Sequence, residues 1–259
     1  MLILIAESKT MTPCGNAVSK ADYAACRPML ESDADAIMET VRSLSADELV
    51  ATVKISLPMV RKLQQMAYEF PNKAVGSRAI EAFTGVVFKA FDYASLDEEA
   101  RRNTTGCVRL LSSLYGWLRP DDIVKAYRMD FTTPLAPGGK ALATYWRDKV
   151  TECLLKEIAT GGHEDVLNLL PGDAAKCIDW KAVGKSAKVW KADFRELLPG
   201  GTTRTPNSGK LKTLRGELLR LIVTSCINSA SGLLSLHGEH FVSADSASSD
   251  GNIEFHTIG

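Results

Sequence analysis

The chain opens on a continuous apolar run, Met1 to Ala6, with no polar alternation. Such a run marks a strand buried on both faces. It stops at Glu7-Ser8-Lys9-Thr10, and polar residues at the carboxyl end of a buried strand are where α/β proteins place ligands. Lys9 and Thr10 could hold a phosphate there, or simply start a loop. Met11 to Pro28 has no period and reads as irregular. Helical spacing then predicts a helix from an N-cap at Ser32 to about Leu44. Ser45 and Glu48 form a capping-box pattern for a short helix. Ser56 and Pro58 open another, closed before Pro71, because the residue preceding proline avoids the α region.

Ala79 to Ala90 is ambiguous, helical into Phe83 and then interrupted by Gly85 and a β-branched pair. Leu96 to Arg109 is helical, with Asp97, Glu98 and Glu99 early and basic residues later, as the helix dipole favours. Leu110 to Asp130 reads as a helix ending at Tyr115, a reversal at Gly116 to Arg119, and a second helix opened by Pro120. Proline suits a first helical position because its missing N–H has no partner there. A glycine hairpin between two helices can turn backbone N–H groups outward to bind phosphate. It can equally be a well-capped corner with Tyr115 and Trp117 in the core.

Thr132 to Gly139 is a proline–glycine loop, and Lys140 to Ala159 is amphipathic at helical spacing through Leu142, Trp146, Val150 and Ile158. Asp165 to Leu170 and Ala187 to Phe194 read as buried strands. Phe241 to Asp245 and Ile253 to Ile258 alternate, as a terminal hairpin does. In Lys210 to Asn228, Leu211, Leu214, Leu218, Leu221, Ile222 and Ser225 share one helical face. Lys212, Gly216 and Arg220 fall on the opposite face, flanked by Arg215. Mid-helix glycine costs about 0.5–1 kcal/mol against alanine, so something approaches the backbone at Gly216: a neighbouring helix or a phosphate, with the basic spacing favouring the ligand. No repeat and no dividing linker is present. The expected fold is a single α+β domain over residues 1–259, with a mixed sheet, helices on its faces and a helix–hairpin–helix element.

Composition is ordinary for a soluble protein, with 45% hydrophobic and 24% charged residues. No apolar run nears the roughly 20 residues needed to span a bilayer, and the opening lacks the basic n-region of a signal peptide. Six cysteines, at positions 14, 26, 107, 153, 177 and 226, form no C-x-x-C pair, which fits reduced thiols and a cytoplasmic location. The net charge of zero hides blocks. Residues 1–50 hold four basic and eight acidic side chains, residues 176–220 hold eleven and four, and residues 221–259 have four acids and no Lys or Arg. A basic block of this size suggests a polyanion or phosphate-bearing ligand, or else a solvated lysine surface.

Motifs of common enzymes are missing: no P-loop, no strand-linked G-x-G-x-x-G, no G-x-S-x-G and no H-E-x-x-H. His237 and His240, three apart, make at best half a metal site. No catalytic residue, metal ligand or cofactor is assigned, and binding is favoured over catalysis.

Several stretches together carry a family resemblance. They are MLILI with Ser8-Lys9-Thr10, Phe83 and Gly85, LSSLYGWLRPDDIVKAYR (Leu111 to Arg128), Tyr145-Trp146 and VLNL (Val166 to Leu169). K-x-x-R-G-x-x-x-R (Lys212 to Arg220) and the closing GEHFVSADSASSDGNIEF complete them. Over essentially its whole length the chain resembles the YaaA family of bacterial peroxide-stress proteins. The resemblance implies a mixed α/β fold, a helix–hairpin–helix, a basic cleft for double-stranded DNA, and a role in limiting damage from hydrogen peroxide and unincorporated iron. Carried over, the hairpin is Leu114 to Pro120 and the cleft is Lys9, Arg119, Arg128, Lys212, Arg215 and Arg220. Thr10, Gly116 and Lys210 complete the expected phosphate-binding set. No membrane association and no obligatory protein partner is expected.

Three departures stand out. The family's serine, acidic residue and tyrosine after VLNL are replaced by Leu170-Pro171-Gly172-Asp173-Ala174-Ala175, its Gly-Asp-x-Tyr by Gly85-Val86-Val87-Phe88, and its glutamate after Tyr-Arg by Asp130. Those lost polar groups could have belonged to a catalytic or ligand site, an activity that this member would then have lost or altered. The alternative function is an enzyme acting on a phosphorylated or nucleotide substrate, with Lys9 and Arg215 as anchors and Asp130 or Asp173 as base. A protein-interaction module meeting an acidic partner is a third reading.

Overall fold

The opening run forms a strand, β1 (Leu2–Ala6), buried at every position. A computed structural model of the chain describes residues 1–12, 16–244 and 251–258. After β1 come α1 (Lys20–Ala25), α2 (Glu31–Ser43), α3 (Ala46–Val53), α4 (Leu57–Glu69), β2 (Ser77–Arg78), α5 (Ala79–Ala82), α6 (Val86–Phe91) and α7 (Glu98–Cys107). The middle of the chain gives β3 (Val108–Ser112), β4 (Gly116–Leu118), β5 (Ile123–Val124), α8 (Leu142–Gly161), β6 (Asp165–Asn168) and α9 (Trp180–Val183). The last third gives β7 (Lys188–Leu197), β8 (Thr203–Arg204), α10 (Ser208–Thr224), β9 (Phe241–Ser243) and β10 (Asn252–Thr257). This is an α+β architecture on a mixed sheet.

The main sheet runs β4-β3-β1-β6-β7-β10-β9, with β8 added beside β7. β1 pairs in parallel with both β3 and β6, and β6–β7 and β7–β10 continue in parallel. The edges β4, β8 and β9 are antiparallel. β2 and β5 form a separate two-stranded ribbon. From β1 the chain crosses one way to β3, then back over β1 to β6. Right-handed crossovers in opposite directions put α7 and α8 on opposite faces of the sheet. Register supports this, because Leu4 is level with Arg109 and Asn168, and Arg109 reaches Glu157 of α8 at 2.5 Å. On the α7 side, α10 packs against α6 and α7.

Many local signals hold. Ser45 and Glu48 make the complete capping box of α3. α8 buries Leu142, Trp146, Val150 and Ile158 and ends on Gly162 at φ +62°, a left-handed cap that glycine adopts without steric cost. β9 and β10 pair antiparallel with Phe255 opposite Ser243; Asp245 and the predicted loop at 246–250 lie outside the described residues. α2 instead begins at Glu31 with Leu30 as its N-cap, so Ser32 is already inside the helix. α10 buries Leu214, Leu218, Leu219, Ile222 and Val223, while Ser225 is exposed.

The helix–hairpin–helix reading of Leu110 to Asp130 is corrected. β3 and β4 form a tight antiparallel hairpin, with Leu111 opposite Trp117 and Ser112 opposite Gly116. The Ser112 hydroxyl accepts from the backbone N–H groups of Leu114 at 3.2 Å and Tyr115 at 2.9 Å. That local bond replaces helical ones in the loop. Pro120 opens no helix. It stands second in a β-turn closed by the Asp122 N–H on the Arg119 carbonyl at 3.1 Å, a position that proline's fixed φ suits equally well. Gly116, at φ +68°, faces inward, and a Cβ there would lie 2.6 Å from Trp146 Cε3. It seats a buried indole and offers no N–H to phosphate from a surface turn.

Gly216 resolves the same way. A Cβ on it would sit 2.7 Å from the Ala90 Cβ and 3.0 Å from the Phe91 N, so the groove in α10 is filled by α6. Gly216→Ala should therefore destabilise the fold by about 1–3 kcal/mol through overpacking. If the groove were open, the same substitution would stabilise the helix by about 0.5–1 kcal/mol. Urea unfolding distinguishes the two by the sign of the midpoint shift.

Candidate functional site

Most of the expected cleft residues are engaged by groups close to them in the fold. Lys9 and Arg128 do meet at the end of β1, with the Arg128 Nη1 donating to the Lys9 carbonyl at 2.8 Å. Lys9 is matched there by Asp130 at 3.3 Å, and Thr10 is exposed beside it. Arg119 is held in its own turn by Asp122, at 2.7 Å, and donates to the Arg27 carbonyl. Arg220 donates to the carbonyls of Phe91 and Asp92 and to the Ser95 hydroxyl, so its charge caps the end of α6. Lys210 pairs with Glu196 at 3.4 Å. Only Lys212 and Arg215 of the set have no hydrogen-bonding or ionic partner among the described residues. Lys212 is exposed and Arg215 half-buried, and burial holds the Arg215 guanidinium below its ordinary pKa.

Neither aspartate offered as a base is free for that work. Burial pushes the Asp130 carboxyl up, but hydrogen bonds from Thr132 and Thr133 outweigh it and hold it below the usual range. Asp173 accepts the N–H of Ala174 at 3.0 Å. The carboxylate placed for proton exchange is Glu7, one residue beyond β1. Its Oε2 accepts the Ser113 N–H at 2.8 Å and the Tyr127 hydroxyl, and Tyr127 also meets the Ser112 Oγ at 2.6 Å. Nothing among the described residues donates to Oε1. The Ser113 Oγ is fully buried near the carboxylate yet completes no hydrogen bond among the described residues. Burial, only partly offset by the hydrogen bonds from Tyr127 and the Ser113 amide, lifts Glu7 to about 7. Burial and the nearby Glu7 charge push the Tyr127 hydroxyl well above its ordinary value, so Tyr127 is a fixed donor.

This cluster sits where the fold expects a ligand. The chain order reverses across β1, and open parallel sheets bind ligands outside the carboxyl ends of strands at such a switch point. Sequence inspection marks Glu7 only as the first polar residue after the strand. Its partners Ser112, Ser113 and Tyr127 lie more than a hundred positions away, and no local spacing announces them.

On the α8 side of the sheet, a second feature emerges from the basic block. An open depression of about 460 Å³ at the end of β6 is lined by Asn168, Trp180, Arg147, Lys176, Lys181 and Lys191, with Asp179 as its carboxylate. All four cations are exposed. Arg147 lies 3.8 Å from Asp179, and the three lysines have no ionic partner among the described residues. Asn168 and Lys191 are register partners on β6 and β7, which explains why residues distant in sequence share this surface.

The Glu7 carboxyl gives a testable pH signature. Its pKa is about 7 when folded against 4.5 for the free side chain, so between those values the folded state holds a proton that the unfolded chain has released. This contribution to stability is complete below pH 4.5 and is lost as pH rises through 7. At 1.36 kcal/mol per unit it amounts to about 3 kcal/mol. Denaturant unfolding at pH 5 and pH 8 should show the wild-type protein losing about that much relative to Glu7→Gln, which does not titrate. An equal change in both proteins would mean that Glu7 does not titrate in this window.

Comparison with known proteins agrees with the resemblance drawn from the motifs. The family model for peroxide stress protein YaaA matches residues 1–246. A UPF0246 protein of Parabacteroides distasonis is 28% identical over 257 residues, covering 98% of this chain and 99% of the relative. A UPF0246 protein of Francisella tularensis subsp. novicida is 28% identical over 239 residues, covering 90% and 91%. One from Idiomarina loihiensis is 30% identical over 233 residues, covering 88% and 89%. With a family match that runs through β1, the β3–β4 hairpin, β6 and α10, this chain belongs to the peroxide stress protein YaaA family.

Proposed function

We propose that this protein acts in the response to hydrogen peroxide by binding double-stranded DNA, mainly through its phosphates, and so limits iron-dependent damage to it. A place in the peroxide stress response fits the family. The observation that carries the DNA reading is the open depression at the end of β6, where Arg147, Lys176, Lys181 and Lys191 face a single lining carboxylate. Exposed lysines on a shallow surface suit the regular charge of a duplex backbone, and phosphate contacts position a protein without reading sequence. This surface replaces the glycine hairpin, whose Gly116 is buried.

Fluorescence anisotropy with a short duplex across a salt series tests it. Log affinity should fall linearly with log salt, with a slope of about −0.9 per phosphate neutralised. Lys181→Ala should weaken binding to all sequences alike and reduce the slope by about one. Lys212→Ala should leave both unchanged. Absence of binding at low salt would overturn the reading, and a loss confined to Lys212→Ala would move the contact surface to α10.

A further inference from the structure

We propose that Glu7 and Arg215 are the two ends of a nucleoside monophosphate site on the α6 and α10 side of the sheet. The two residues border one element. Ser8, next to Glu7, accepts the Gly85 N–H at 3.0 Å, and Gly85 is the N-cap of α6. Gly216, next to Arg215, packs on the Val87 carbonyl, Ala90 and Phe91 of the same helix. Glu7 and Arg215 therefore approach α6 from two neighbours, the end of β1 and the middle of α10.

Each end is chemically unfinished. Arg215 is half-buried with no anionic partner among the described residues, and a desolvated cation without a counter-charge is costly. Lys212, one turn earlier on the same helical face and also unpartnered, adds a second positive charge. Two cations on one helix face match a dianionic phosphate better than a single carboxylate. At the other end, Glu7 offers the unused Oε1, and the buried Ser113 hydroxyl beside it completes no bond among the described residues. A carboxyl and a hydroxyl together accept and donate, the pattern that the edge of a nucleobase answers. The groups around the Glu7 carboxyl are Tyr127 and Ser112, the Ser113 amide and hydroxyl, and the thiol of Cys177 close enough to feel its charge. None of them is a cation that would already neutralise it. The depression at the end of β6 lies on the α8 side, so this site does not depend on the DNA reading.

Isothermal titration of the intact protein with AMP, GMP, CMP and UMP, beside adenosine, inorganic phosphate and free glutamate, tests the proposal. At least one mononucleotide should bind, and more tightly than adenosine or phosphate. Arg215→Ala should weaken all mononucleotides alike, by tenfold or more. Glu7→Gln should weaken binding and reduce discrimination among the four bases, which a merely structural role would not do. Ser113→Ala should impair the same discrimination, with thermal unfolding unchanged because its hydroxyl has no partner to lose. No mononucleotide binding at millimolar concentration would overturn the site. So would glutamate or phosphate binding as tightly as the nucleotides, or unaltered affinity in folded Arg215→Ala and Glu7→Gln. Duplex binding retained in Glu7→Gln would leave the DNA reading standing whichever way these titrations fall.

Discussion

β1 is hydrogen-bonded on both edges and apolar throughout, and the rest of the structure depends on satisfying that strand. Its register with β3 and β6 commits the chain to crossing it in two directions, which places α7 and α8 on opposite faces. The same constraint creates the polar end. A strand with no exposed face must stop somewhere, and the first side chain after it is a carboxylate still largely enclosed by its neighbours. The Tyr127 and Ser113 bonds to Glu7 are the way this fold accommodates a polar group at the limit of its core.

Charge in this protein is sorted by what each cation faces. Arginines that resemble a binding cleft in sequence are mostly consumed by backbone carbonyls or by a carboxylate a few positions away, as Arg220 is by the end of α6 and Arg119 by Asp122. Among the described residues, the cations left without such partners include Lys212 and Arg215 on α10 and Lys176, Lys181 and Lys191 around the end of β6. These lie on opposite sides of the sheet, so two different anionic ligands could be held without competing for the same groups.

The architecture was legible wherever one local pattern had one physical meaning. The unbroken apolar run of β1, the capping box at Ser45 and Glu48, and the apolar spacing in α8 each admit a single solution. The β3–β4 hairpin was not legible because its punctuation is degenerate. Proline followed by two aspartates suits a helix start and a β-turn equally, and a glycine can face solvent or make room for an indole. Gly216 failed similarly: a missing side chain in a basic helix marks a close approach without saying whether a ligand or another helix makes it. The site itself was half visible. The end of β1 stood out as a place for chemistry, but attention fell on Lys9 and Thr10, and Glu7 gains its character only from Ser112, Ser113 and Tyr127.

With its carboxyl lifted to about 7, Glu7 leaves the folded protein without a single protonation state at neutral pH. A preparation near neutral pH holds both chemical species, which share one backbone, one with a negative charge at the end of β1 and one without. A crystal, a spectrum or a binding isotherm recorded near neutrality averages over both. A shift of two pH units in either direction moves this carboxyl predominantly into one of the two forms.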